Sequence, residues 1–308
     1  MMTIPSRSRA SAKGSLMRSK FLIAAVLLCT MMSSLHAQAN NSLSFDGSND
    51  DVNLGTGIQF SGSDNFSVSM WVYPDNFTSS PFFLRTEQPS NTLAIMFTAN
   101  SSGTLRGSLD DRGGGEWGGT LTYWSSSNVS TGQWSHITFT KNYNTSTLYI
   151  NGTSVGSYSW SSQMGNLQNA ETGNGSWYLA KDSNGNNRYD GNMDEVAIWN
   201  TALSADAVTA IYNSGDGLDV SSNSGDYSSS SNLQGYWKFN EGSGTTTYDE
   251  TSNDNDGTIS GASWSTSVPF PFPYVSSVAL ASDNSTIAAT FSEAVYTTTD
   301  ASSALVVG

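Results

Sequence analysis

The stretch Gly191–Ser204, GNMDEVAIWNTALS, constrains the rest of the chain more than any other. Side chains alternate along an extended strand, so Asp194, Val196 and Ile198 fall on one face and Glu195, Ala197 and Trp199 on the other. Asn200-Thr201 then breaks the strand. Ser204 reads as a helix N-cap, with Asp206 in the first turn, where an acid suits the helix dipole. Val208, Ile211 and Tyr212 make a short apolar stripe, which Gly215 closes. A strand that turns a carboxylate inward and passes at once into a two-turn helix is unusual for a plain sandwich strand. Something must anchor Asp194, and a metal ion is the first candidate.

The opening residues carry Arg7, Arg9, Lys13, Arg18 and Lys20 and no acid, followed by the apolar run Phe21–Cys29 and Ala37-Gln38-Ala39. This is the pattern of a secretory signal peptide cleaved near Ala39. The apolar run is too short to stay in a bilayer as a spanning helix, so no membrane insertion is expected. Cleavage removes five of the 12 Lys+Arg and none of the 26 Asp+Glu, leaving 7 bases against 26 acids, a net of −19. That charge argues against nucleic acid as a partner and is compatible with cation binding. The exported chain also has no cysteine, so its core or bound ions must supply its stability.

Gly, Ser, Thr and Asn dominate, the composition of short strands joined by many turns. Ser42–Leu54 reads as strand, turn, strand, and Phe66–Tyr73 alternates cleanly before Pro74. Phe82–Arg85, Thr92–Thr98, Gly103–Leu109 and Thr120–Trp124 are further strands, with the Gly113-Gly114-Gly115 loop before the last. Trp134–Lys141 and Thr147–Ile150 form a hairpin pair, and Asn151-Gly152 is a strong turn. Ser176–Lys181, Leu233–Asn240 and Thr258–Ser265 complete the set. Short strands at this spacing predict an all-β fold, an antiparallel β-sandwich with one short helix. Val268–Tyr274, VPFPFPY, is a stiff linker. Beyond it, Val278 and Leu280, then Ile287, Ala289 and Phe291, predict a hairpin turning at Asp283-Asn284. The chain stops at Gly308 before a second core could close, so a longer natural protein is expected.

Several motifs now fall into a familiar order: SFDGSNDDVNLG (Ser44–Gly55), FSVSMWVYP (Phe66–Pro74), GQWSHITFTKN (Gly132–Asn142), LYINGTSVGS (Leu148–Ser157) and GNMDEVAIWNTALSADAVTAIYNSG (Gly191–Gly215). In these the chain resembles the laminin-G-like, concanavalin A-like jelly rolls of secreted bacterial surface proteins. Leu233–Trp264 is similar to the companion strands of the same domains, and SSVALASDNSTIAATFSEAVY resembles the first strands of bacterial immunoglobulin-like repeats. The expected organisation is a signal peptide over 1–39, a jelly-roll domain over 40–268, a Pro-rich linker over 269–274 and the start of an Ig-like β domain over 275–308.

The resemblance implies one structural calcium near the edge of the sandwich. Carried onto this sequence, it points to Asp194 of the GxxDEV motif and Asp46 of the FDG motif, with Asn49, Asp50 and Asp249 as further candidates. Calcium wants six to eight oxygen ligands, and the exported chain's only histidine, His136, gives soft metals little to hold. The bland alternative is that Asp46 makes an Asx turn and Asp194 caps backbone amides. Asp182–Asp190, DSNGNNRYD, lacks the glycine and terminal acid of an EF-hand loop and reads as a polar turn.

Trp117, Tyr123, Trp124, Trp160 and Trp177 sit in or near loops and are the candidates to stack on sugar rings. Trp71, Trp134, Trp199 and Trp237 sit in alternating strands and read as core. Glycoside hydrolysis needs two carboxyls about 5–10 Å apart across a cleft. The Glu-x-Asp-x-Glu triplet of enzymes with this jelly roll is missing, and Glu195 should point away from Asp194. The expected function is therefore a secreted or cell-surface, calcium-stabilised module that binds an extracellular glycan or matrix polysaccharide, or serves adhesion, and is not itself an enzyme. The rivals are an inert spacer of a surface adhesin and an accessory or catalytic domain of a glycoside hydrolase.

Overall fold

The computed structural model describes residues 40–87, 94–110, 121–159, 175–182, 184–270, 275–280 and 287–291. The signal-peptide residues, the Gly113–Gly115 loop and the Asp283-Asn284 turn lie outside the described residues. In chain order the strands are β1 (Ser42–Asp46), β2 (Asp51–Asn53), β3 (Phe66–Pro74), β4 (Phe82–Thr86), β5 (Ala94–Ala99), β6 (Thr104–Asp110), β7 (Leu121–Asn128), β8 (Ser135–Asn142), β9 (Thr145–Ile150), β10 (Thr153–Ser159), β11 (Trp177–Leu179) and β12 (Asp190–Trp199). The helix α1 (Ala205–Tyr212) precedes β13 (Leu233–Trp237), β14 (Thr246–Thr247), β15 (Gly257–Ser260) and β16 (Ser263–Ser265). Apart from these, β17 (Val275–Leu280) and β18 (Ile287–Phe291) form an antiparallel hairpin in a separate unit.

Two antiparallel sheets make the sandwich. One runs β10-β9-β8-β3-β12-β1-β16, with β13 also on β12; the other runs β14-β15-β2-β11-β4-β5-β6-β7. Alternation along each strand sends one set of side chains between the sheets. Leu43, Val68, Met70 and Val72 of the first sheet meet Val52, Leu84, Ile95 and Phe97 of the second in one apolar core. Each such side chain stabilises by about 1.5–3 kcal/mol when fully buried, which is how a domain without disulfides holds together.

Two expectations are corrected. Ser42–Leu54 is strand, turn, strand as expected, but the two strands do not pair with each other: β1 pairs with β12 and β16, whereas β2 pairs with β11 and β15, so the turn at Gly47 carries the chain from one sheet to the other. Thr258–Ser265 divides likewise into β15 and β16, one in each sheet, around Gly261 at φ 80°. The helix begins as expected, with Ser204 Oγ accepting from the Ala207 amide at 3.1 Å. It ends earlier, at Asn213, whose left-handed φ of 48° directs its amide to the Thr209 carbonyl. Asparagine tolerates that conformation, so Gly215 is not needed to stop the helix.

The helix packs Ala207, Val208 and Ile211 against Tyr149, Trp199, Tyr227 and Tyr236, forming a second apolar cluster on the outer face of the first sheet. Trp199 Nε1 donates to Tyr227 Oη at 3.0 Å, and Tyr227 in turn donates to the Val220 carbonyl at 2.8 Å. Both faces of β12 are therefore covered.

Candidate functional site

One edge of β12 is shared by two strands end to end. Its first half pairs with β1, up to Leu43 opposite Met193; its second half pairs with β13, from Trp237 opposite Val196. Asp194 and Glu195 fall in the gap, where the start of β1 and the end of β13 meet. The two ends are tied by the Asn41 amide donating to Asn240 Oδ1 at 2.9 Å.

The backbone is irregular there. The register against β3 shifts between Asp194 and Ala197, and Glu195 has a left-handed φ of 50°. This is a β-bulge, and it breaks the expected alternation. Met193, Val196 and Ile198 face the core, whereas Asp194 lies opposite Trp71 on the outer face. Glu195 does not point the other way as alternation predicts: its carboxylate takes the hydroxyl of Tyr236, a member of the outer cluster. Asp194 closes the bulge by accepting the Glu195 amide on Oδ1 at 2.9 Å.

Asp194 is fully buried, and its Oδ2 has no hydrogen-bond partner. Burial pushes its carboxyl well above the usual range, and the charges of Glu195 and Glu241 push the same way. Glu195 is raised too, chiefly by burial. Two further buried oxygens lack a partner: Glu241 Oε2, after β13, whose charge acts on Asp194, and Asn40 Oδ1, before β1, whose amide nitrogen donates to the Phe270 carbonyl at 2.7 Å. Buried polar atoms are nearly always paired, so unmet acceptors on the strands that meet here require an explanation. Two carboxylates and an amide carbonyl are the donors a hard cation takes, with backbone carbonyls and water completing six to eight oxygens. The residues present therefore fit a calcium ion. Neither Glu241 nor Asn40 was among the residues picked from sequence.

Asp46 is not part of this joint. It lies opposite Asp190, four positions along β12 from Asp194, or about 13 Å at the rise of a strand. The two strands are neighbours as expected, but the register keeps the two acids from sharing an ion. Asp46 Oδ1 instead accepts from the Ser48 amide at 2.8 Å, and Asp50 Oδ2 accepts from the Asp46 amide at 2.8 Å. Asn49 is exposed in the same turn. Asp249 is consumed by its own loop: Oδ1 takes the amides of Tyr236 and Thr251, and Oδ2 takes Asn255 N and Thr251 Oγ1. Asp182 likewise satisfies Asn184, Asn186 and Asn187 within its turn. Among the described residues, no three His, Cys, Asp or Glu side chains group as a metal-binding set.

The aromatic candidates separate sharply. Trp177 is not a loop residue: it is the first residue of β11, 0% exposed, with Nε1 on the Ile58 carbonyl at 2.9 Å. Tyr123 is buried against Phe139. Trp124 is 46% exposed on β7, directly beside it, because neighbouring residues of a strand face opposite ways. Trp117 and Trp160 lie outside the described residues. His136, at β8, is buried against Trp71 and has no acidic partner on Nδ1.

The register defines the surface around Trp124. Tyr178, Arg85, Met96, Ser108 and Thr122 form one row across the outer face of the second sheet, and Phe82, Thr98, Arg106 and Trp124 form the next. The Arg106 guanidinium sits 5.3 Å from the Trp124 ring centroid and donates through Nε to Thr98 Oγ1 at 2.9 Å.

A comparison with curated proteins gives no match. Among solved structures, a candidate carbohydrate-binding protein from Bacteroides ovatus shares 17% identity over 76% of this chain and 62% of its own, with a TM-score of 0.51. The chain thus spans less than two thirds of that protein. Domain 4 of an extracellular arabinanase from Geobacillus stearothermophilus, solved with arabinotriose, shares 23% identity over 55% of this chain and 75% of its own, at a TM-score of 0.41. A Ruminococcus gnavus sialidase module, solved with sialyllactose, shares 10% over 51% of this chain and 100% of its own, at 0.40. A laminin G family model matches residues 46–209, which hold β1's last residue through most of α1 and make up more than half of the sequence. With two facing antiparallel sheets and the GNMDEV strand at the centre of one, the chain belongs to the concanavalin A-like lectin/glucanases superfamily.

Proposed function

We propose that the chain is a secreted or cell-surface carbohydrate-binding module of a longer protein, stabilised by calcium where β1, β12 and β13 meet. The observation that carries the binding reading is Trp124, a large aromatic 46% exposed on the outer face of the second sheet, two positions along β7 from the half-buried hydroxyl of Thr122. An aromatic ring beside hydroxyl partners suits a sugar ring, which presents C–H groups on one side and hydroxyls on its edge. The carbohydrate-binding description of the Bacteroides ovatus protein, which shares the fold, supports it. Signal-peptide character in residues 1–39 supports export. The three unmet oxygens of Asp194, Glu241 and Asn40 support the calcium.

Catalysis is the weaker reading, since Asp194 has no surface through which to reach a substrate. The spacer reading draws on the burial of Trp177 and Tyr123, which leaves fewer aromatics for a ligand. A glycan array probed with and without chelator separates the two. Binding that is lost in Trp124→Ala supports the module; no binding to any glycan supports the spacer.

A further inference from the structure

The last strand of the sandwich, β16, ends at Ser265, but the chain does not leave the sandwich there. Residues 266–270 run on as a strap against the first sheet. The Ser267 carbonyl accepts from Ser42 Oγ at 2.6 Å, and the Phe270 carbonyl accepts from Asn40 Nδ2 at 2.7 Å. The Phe270 ring meets Trp71 edge to face, with 5.6 Å between centroids. It also lies on bare backbone: a Cβ on Gly217, in the loop after α1, would come within 2.3 Å of the ring. Pro269 precedes Phe270 and fixes its own φ, which lowers the entropy lost when the strap is laid down.

What the strap covers follows from the register. Trp71 on β3 is the cross-strand partner of Asp194 on β12, on the same outer face, so their Cβ atoms are about 4.5–5.5 Å apart. Trp71 is itself held in place, by Tyr212 at 5.8 Å and His136 at 5.3 Å. Phe270 on Trp71 therefore closes the β3 side of the joint, and the contact of Glu195 with Tyr236 closes the β13 side. One carboxamide connects the strap to the joint. Asn40 Nδ2 holds Phe270, while Asn40 Oδ1, buried and unmet, is one of the oxygens that fit the cation.

We infer that residues 266–270 gate the cation site: Phe270 must lift from Trp71 and Gly217 before a calcium ion can enter or leave, and an ion on Asn40 Oδ1 holds that carboxamide facing Phe270. This rests on the calcium reading and adds its regulation. Asp194 is 0% exposed, so a hydrated ion has no path to it while the strap is down. Lifting the strap breaks the bonds from Ser42 and Asn40 and frees one half-buried ring, and it leaves both sheets paired. That is a local opening, which takes far less free energy than unfolding the sandwich. Exchange of the ion is then timed by the strap rather than by diffusion.

The test loads the full chain with calcium, mixes it rapidly with excess fluorescent chelator and times the release of the ion. Two variants loosen the strap and leave every proposed ligand of the ion in place. Phe270→Ala removes the ring, and Gly217→Ala puts a methyl group where the ring sits. Each should release calcium about tenfold faster than the wild type, the scale of uncovering one half-buried aromatic side chain. Each should still melt at a higher temperature in calcium than in chelator. Should Phe270→Ala melt early, Gly217→Ala, which keeps the ring, decides. Calcium release at the wild-type rate in both variants, with the thermal gain kept in all three proteins, overturns the gate and leaves the calcium reading standing. Wild-type release complete within the mixing time does the same. A wild type that melts alike in calcium and in chelator removes the calcium reading, and the gate falls with it.

Discussion

Asp194 on β12 and Glu241 after β13 each bury a carboxylate oxygen that no donor meets, and the charge of Glu241 helps raise the Asp194 carboxyl. Without a cation the two destabilise one another; on the proposed calcium reading they become its ligands. Replacing either by its amide should therefore act in opposite directions under the two conditions. Asp194→Asn keeps an acceptor for the Glu195 amide but removes the charge, so in chelator it should melt at or above the wild type. In calcium the wild type should gain stability, by about 2.7 kcal/mol at a hundredfold excess over Kd, and Asp194→Asn and Glu241→Gln should gain little. Asp46→Asn should behave as wild type in both. Thermal melts of the four proteins in calcium and in chelator check this; identical calcium gains in all four would remove the site.

Gly191 permits the pairing that delivers Asp194. Its φ is 137°, and a Cβ there would collide with the Tyr73 carbonyl oxygen and press on Pro74 Cα at 2.9 Å. Both partners are backbone of β3, which cannot swing aside. Gly191→Ala should cost about 3 kcal/mol, a steep loss for one methyl group. Denaturant melts would show it as a lower midpoint with unchanged slope. A variant within half a kcal/mol of wild type would mean that β3 and β12 separate easily.

Much of this arrangement is written in the sequence, and the exceptions have physical causes. The strand 190–199 and the Ser204 cap follow from local patterning, because alternation and capping depend on near neighbours. The bulge does not: nothing in Met193-Asp194-Glu195-Val196 announces that a glutamate takes a left-handed φ, since it is imposed by the handover from β1 to β13. That one residue reverses which face Asp194 occupies. Register is equally invisible, so the neighbouring of β1 and β12 could be anticipated while Asp46 opposite Asp190 could not. Glu241 and Asn40 escape notice because their burial depends on strand ends meeting in space. Trp177 falls in the expected strand Ser176–Lys181, but which face of so short a strand meets the other sheet, and so the burial of its ring, is not set by local pattern.

The two tryptophans make a paired prediction. Trp177 fills the core and donates to Ile58, so Trp177→Ala should cost about 3–5 kcal/mol through the cavity it leaves. Any loss of glycan binding would then follow from unfolding and be recovered at lower temperature. Trp124→Ala removes an exposed ring and should shift stability by about 0.5 kcal/mol or less, while binding disappears. Melting curves alongside binding isotherms distinguish the two. A Trp124→Ala protein that unfolds as readily as Trp177→Ala would show that the exposed ring is structural.

His136 sets the acid limit of the fold. It is 1% exposed, packed 5.3 Å from Trp71 and 6.4 Å from Tyr212, and burial lowers its pKa from 6.5 to about 3. The unfolded chain binds a proton at this position below pH 6.5, whereas the folded chain resists it until about pH 3. Unfolding therefore takes up a proton throughout that window, and stability falls as pH drops through it, by up to about 1.4 kcal/mol per unit from this residue. Above pH 6.5 both states are neutral here and the contribution is flat. His136→Phe keeps an aromatic ring between Trp71 and Tyr212 and cannot be protonated. The measurement is the stability difference between wild type and variant at several pH values in calcium, which cancels the carboxylates common to both. That difference should be constant above pH 6.5 and move in favour of the variant below it, reaching about 2–3 kcal/mol near pH 4.5. A difference that does not change with pH would mean that the folded protein opens enough around His136 to let the imidazole charge in place.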